Sequence, residues 1–184
     1  PNTWVDGGVN NKVFVNVAGG TLVLGQKSFN LRPTMTASTC TGYNRLRICD
    51  GGTVSITNGY LRMWGGSSSD SQGRGIYTNI IDVCKDSTLE IRNGGRLTMG
   101  SGVNSAPWGE QSYYGAGWVN VNGGAIKVID STQDYSPFVM GTHQNAGVGA
   151  YLNVTDGGSV DLGGKSLVLM SLGTNIITVA TGGV

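Results

Sequence analysis

Short alternations of apolar and polar residues recur along the chain, each hinged on paired glycines. "FVNVAGGTLVLG" spans 14–25, "RLRICDGGTVSI" 45–56, "TLEIRNGGRLTM" 88–99, "GWVNVNGGAIKV" 117–128 and "AYLNVTDGGSVDL" 150–162. Fainter echoes stand at the two ends, "TWVDGGV" at 3–9 and "IITVATGGV" at 176–184. A period of two predicts strands rather than helices. Glycine at the hinge supplies the positive φ that a sharp corner needs.

A third strand is predicted after each pair. Phe29 and Leu31 follow Leu24 at the same offsets at which Leu61 and Met63 follow Ile56, and Leu167 and Leu169 follow Leu162. On this phase the unit after Met99 is irregular, with Asn104 and Ala106 where apolar residues are due. The unit after Val128 delays its third strand to Phe138 and Met140, past "DSTQDYSP". The first glycines fall at Gly19, Gly51, Gly94, Gly123, Gly157 and Gly182, at unequal intervals. The variation collects after the third strand, in "RPTMTASTCTGYN", "GGSSSDSQGRGIYTNIIDVCKDS", "PWGEQSYYGAG", "GTHQNAGVGA" and "SLGTN". Insertions gathered at one corner of a repeat are the mark of a solenoid. The expected fold is all-β: a β-solenoid of five to six coils, each of three short strands, as a single domain over 1–184. Leu152, Val154, Val160, Leu162, Leu167 and Leu169 should point inward and stack on the preceding coil.

Stacking also predicts outward columns. They should read Asn16, Arg47, Glu90, Asn120, Asn153 on the first strand and Val23, Ser55, Thr98, Lys127, Asp161 on the second. No like charges meet in either, as neighbouring strands prefer.

Composition narrows the function classes. Glycine makes up 32 of 184 residues, more than twice the usual ~7%. Only 12% of residues are charged and the net charge is +1, which leaves no electrostatic footprint for nucleic acid. No apolar run is long enough to span a bilayer. The chain opens on Pro1 rather than Met, which reads as a processed or excised piece.

"GTHQNAGVGAYLNVTDGGSVDLGGKSLVLMS" resembles the Gly-rich "LNVTGG"-type repeats of autotransporter passengers and of PEP-CTERM-associated bacterial surface proteins. The likeness is sharp over 137–184, and 66–87 and 101–116 depart from it. The resemblance implies a right-handed parallel β-solenoid exported to the cell surface or beyond, and carries no catalytic residues with it; no cofactor or metal is expected.

Few residues suggest chemistry. His143 is the only histidine and lies in a loop with no nucleophile motif nearby. Asp82 and Asp86 share one insertion with Lys85, near Asp70 and Arg74, and Asp130 and Asp134 bracket another. Paired carboxylates would suit glycoside hydrolysis or Ca²⁺, whereas Asp in Ser/Gly-rich loops ordinarily caps turns. The aromatics Trp64, Tyr77, Trp108, Tyr113, Tyr114 and Tyr135 cluster at the variable corner and are the binding candidates. Cys40 and Cys84 both precede the first strand of adjacent coils and are the expected disulfide, with Cys49 free.

The expected function is a non-enzymatic extracellular scaffold or adhesin module. Neither end carries an amphipathic cap, so the terminal strands with Trp4, Val5, Ile176, Ile177 and Val179 should join end to end or continue in a longer solenoid. A glycan or host-surface ligand is the expected partner, with no membrane insertion. The alternative is a carbohydrate-active solenoid, lyase-like, glycosidase-like or glycan-binding.

Overall fold

The computed structural model describes residues 3–6, 12–26, 28–32, 41–63, 66–67, 76–99, 113–129, 136–141, 148–170 and 174–184. These form a parallel β-solenoid whose strands repeat in the order A, B, C around three sheets. Sheet A stacks β1 (Thr3–Asp6), β4 (Ser28–Arg32), β7 (Tyr60–Met63), β11 (Arg96–Met99), β14 (Phe138–Met140) and β17 (Leu167–Leu169). Sheet B stacks β2 (Lys12–Ala18), β5 (Thr41–Cys49), β9 (Ile76–Val83), β12 (Tyr113–Asn122), β15 (Val148–Thr155) and β18 (Thr174–Val179). Sheet C stacks β3 (Thr21–Leu24), β6 (Thr53–Thr57), β10 (Thr88–Arg92), β13 (Ala125–Ile129) and β16 (Ser159–Asp161). A two-residue strand, β8 (Gly66–Ser67), pairs antiparallel with the start of β12. Among the described residues there is no helix.

The core is a set of columns, because each inward side chain sits on its register partner in the next coil. In sheet A one column runs Phe29, Leu61, Leu97, Phe138, Leu167 and another Leu31, Met63, Met99, Met140, Leu169. In sheet B the columns are Val15, Leu46, Ile81, Val119, Leu152, Ile177 and Val17, Ile48, Val83, Val121, Val154, Val179. Central members such as Leu61, Ile81 and Val119 are fully buried. Of the six inward residues expected in the last coil, Leu152 and Val154 are buried. Val160, Leu162 and Leu167 are partly buried against the core. Leu169 is 51% exposed, since β17 is the last strand of its sheet.

One coil is phased differently from the sequence reading. Gly94 and Gly95 lie between sheets C and A, so β10 is a sheet C strand and β11 the sheet A strand of that coil. The sheet B strand is β9, which lies inside the stretch 66–87 that departs from the repeat pattern. Its corner to sheet C is Lys85, Asp86 and Ser87, and Asp86 adopts φ 62° where other coils place glycine. With that shift, Leu97 and Met99 take the third-strand places, and the irregularity expected at Asn104 and Ala106 disappears. The outward columns change with it. They read Asn16, Arg47, Asp82, Asn120, Asn153 on sheet B and Val23, Ser55, Glu90, Lys127, Asp161 on sheet C. Glu90 therefore neighbours Lys127 rather than Arg47, and Thr98 belongs to sheet A beside Arg62.

The corner from sheet B to sheet C is tight in every coil, and that from sheet C to sheet A is tight in several but long between Ile129 and Phe138. Gly52 N–H donates to the Cys49 carbonyl, and Gly95 N–H to the Arg92 carbonyl. Asp50–Gly51, Asn93–Gly94 and Asp156–Gly157 place both central residues at positive φ, the conformation of type I′ turns, which Asn-Gly and Asp-Gly suit.

Candidate functional site

The outer face of sheet B carries a polar groove of about 600 Å³. The longest strands of the solenoid build it, and their alternation sends three neighbouring columns outward. The first reads Phe14, Arg45, Ile80, Trp118, Tyr151, Ile176. The second is Asn16, Arg47, Asp82, Asn120, Asn153, Thr178. At the corner, Cys84, Lys85, Asn122 and Thr155 line its third side.

The middle column is a hydrogen-bonded rail. Asn153 Nδ2 donates to Asn120 Oδ1 at 2.9 Å, and Asn120 Nδ2 donates to Asp82 Oδ1 at 2.9 Å. Arg45 Nε donates to Asp82 Oδ2 at 2.5 Å. Both Asp82 oxygens are thus engaged, and the hydrogen bond to Asp82 is the chief reason the Arg45 guanidinium holds its proton above the ordinary arginine range. The pair is part-exposed, with side chains 38% and 13% accessible, and so contributes little to stability. Beside the rail, the Trp118 and Tyr151 rings stack at 5.1 Å between centroids and 10° between planes. Near-parallel rings at that centroid distance overlap as offset shingles. Tyr151 leans over Gly149, where a Cβ would stand 2.5 Å from its ring.

The corner column holds a disulfide, Cys49–Cys84, with Cα atoms 4.8 Å apart. This corrects the expected Cys40–Cys84 pair. Ile48 and Val83 are register partners, so Cys49 and Cys84 are stacked one coil apart. β9 lacks the Gly-Gly hinge that marks the other coils, and only its register with β5 aligns the two cysteines. Cys40 lies outside the described residues.

Of the other candidates, Tyr77 falls in β9, and Tyr113 and Tyr114 fall at the start of β12. Trp64, Trp108, Tyr135, His143, Asp70, Arg74, Asp130 and Asp134 lie outside the described residues. Asp82 stands on the sheet face, not in a loop, and Asp86 occupies the corner. No group of three or more His, Cys, Asp or Glu side chains converges on a metal position among the described residues. No helix among them is long and apolar enough to cross a membrane. Trp4 and Val5 lie in β1, in register with Asn30 and Leu31. Ile177 and Val179 continue inward columns, whereas Ile176 lies on the outer face beside Tyr151.

The ring pair Trp118–Tyr151 and the rail were missed in the sequence. The signal was present, because each ring residue immediately precedes its coil's V-N-V or L-N-V triplet. Comparison with protein-family models, with curated proteins and with solved structures finds no match.

Proposed function

We propose that this chain is a structural β-solenoid module of an exported, cell-surface or extracellular protein, a rigid scaffold that extends by stacking end to end. The observation that carries the reading is the condition of the two terminal coils. At one end Ile177 and Val179, on inward columns, are 44% and 57% exposed, and Leu169 is 51% exposed. At the other, Val15, Val17 and Leu22 are only partly buried. β17 and β18 at one end and β1, β2 and β3 at the other are the outermost strands of their sheets among the described residues. A second copy set axially would continue both the parallel ladders and the core columns. Such a contact is head to tail and propagates into open filaments.

Export is supported by the Cys49–Cys84 disulfide, since such bonds persist in oxidising compartments, and by the resemblance to bacterial surface repeats. The variable corner between sheets A and B would carry adhesive contacts.

Sedimentation velocity and electron microscopy of the purified chain over a range of concentrations test the proposal. Rods one solenoid wide that lengthen with concentration are expected. A chain that stays monomeric at high concentration overturns it. Ile177→Asp combined with Val179→Asp should stop assembly while leaving the central coils folded.

A further inference from the structure

The sheet B groove has a charge imbalance that its own contacts do not remove. Asp82 is the only carboxylate lining it among the described residues, and both its oxygens are taken by Arg45 and Asn120. Arg47 and Lys85 also line the groove, are exposed, and form no ion pair among the described residues. Their placement is fixed. Arg47 lies two residues before Cys49 and Lys85 directly follows Cys84, so the disulfide ties together the two coils that carry them. The Lys85 stem also rests over Gly123 in the next coil, where a Cβ would meet its Cβ and Cγ at 3.2 Å.

From these two cations the groove continues along the solenoid axis as neutral donors and acceptors: Asn120, Asn122, Asn153 and Thr155. They repeat at the strand spacing of about 4.8 Å. That interval is close to the length one pyranose residue adds to an extended chain. The stacked Trp118–Tyr151 pair stands in the outward column next to the rail.

We infer that this face binds a linear acidic polysaccharide lying along the solenoid axis, its carboxylates on Arg47 and Lys85 and its hydroxyls on the amide rail. Guanidinium and ammonium groups hold carboxylates by charge-assisted hydrogen bonds. Amide and hydroxyl side chains recurring once per coil match a ligand with hydroxyls on every residue. A nucleic acid would need a broader cationic surface, and the net charge of +1 does not supply it. An acidic peptide would use a free strand edge or an apolar groove, and this face is the flat of a sheet. The site lies on the side of the solenoid, so it stands or falls independently of end-to-end stacking.

Affinity electrophoresis and calorimetry of the full chain test it, with polygalacturonate as probe and a neutral dextran and polyglutamate as controls. Polygalacturonate should retard the chain, and added salt should weaken the retardation. Arg47→Ala with Lys85→Ala should weaken binding at least about tenfold, the loss of one charge-assisted contact or more, at an unchanged melting temperature. If that variant misfolds, Arg47→Gln with Lys85→Gln serves the same end. Asn122→Ala with Thr155→Ala should lower affinity without altering its salt dependence. Absence of retardation, equal binding of polyglutamate, or undiminished binding by the charge variants overturns the inference.

Discussion

Asn44 donates its side-chain amide to Asn79 Oδ1 at 2.9 Å, one coil away and inside the core. The two residues are register partners, 0% and 1% exposed. They occupy an inward column that reads Val13, Asn44, Asn79, Gly117, Ala150, polar in its second and third coils and tiny in the next two. Asn44 Oδ1 has no hydrogen-bond partner among the described residues, so the Asn44 side chain relies on its bond to Asn79.

Asn79→Ala should therefore destabilise the fold by roughly 1–3 kcal/mol, because it strands a buried amide. A urea double-mutant cycle with Asn44→Ala should give a coupling of about 1 kcal/mol. Additivity within about 0.5 kcal/mol would show that the bond contributes nothing.

Leu61 is fully buried between Phe29 and Leu97 in one column. Leu61→Ala should cost about 2–5 kcal/mol, since neighbours held by ladders on both sides cannot collapse into the space. Leu169→Ala, at the 51% exposed end of the adjacent column, should cost less than about 1 kcal/mol. Equal losses in thermal unfolding would contradict the column arrangement.

A Cβ on Gly95 would stand 2.2 Å from the Ile56 carbonyl oxygen and 3.0 Å from that of Arg92. Both obstacles are backbone and cannot swing aside. Gly95→Ala should cost about 2 kcal/mol or more. Gly51→Asn should be much milder, because Asp86 already adopts positive φ at the equivalent corner and Asn tolerates that region. Chemical denaturation of the two variants decides the order.

Peptide mapping without reductant should recover Cys49 joined to Cys84. Opening that bond by Cys49→Ser with Cys84→Ser should lower stability by about 3–4 kcal/mol on the loop-closure account. Recovery of Cys84 joined to Cys40 would restore the pairing expected from the sequence alone and refute the stacked corner.

The solenoid was legible because apolar alternation and Gly-Gly corners report backbone geometry directly. Phe29 and Leu31, Leu61 and Met63, Phe138 and Met140, and Leu167 and Leu169 all pair across sheet A as expected. The one mis-phased coil shows where such signals fail. In β9 an inward position is the polar Asn79 and an outward one the apolar Ile80, which blurs the alternation. Its corner uses Lys85, Asp86 and Ser87, with Asp86 reaching positive φ in place of a glycine. A second Gly-Gly pair at a different corner then captured the repeat. The disulfide and the Asp82 rail were lost with that register, since both depend on which residues are one coil apart. The ring pair was hidden for another reason: Trp118 and Tyr151 stand in ordinary strand positions, and only stacking brings them together.

The three corners of each coil differ in what they tolerate. The turns at Cys49–Gly52 and Arg92–Gly95 close within one hydrogen bond, whereas the stretch from sheet A to sheet B is short between Leu169 and Thr174 and long between Met99 and Tyr113. Lengthening a flexible loop costs little, since closure entropy grows only with the logarithm of its length. The molecule thus separates inheritance from experiment. One edge of the prism, from sheet B to sheet C, stays short at every level, and the edge from sheet C to sheet A lengthens between Ile129 and Phe138, while the third can accept foreign sequence, duplicated or trimmed, without disturbing the floor above or below.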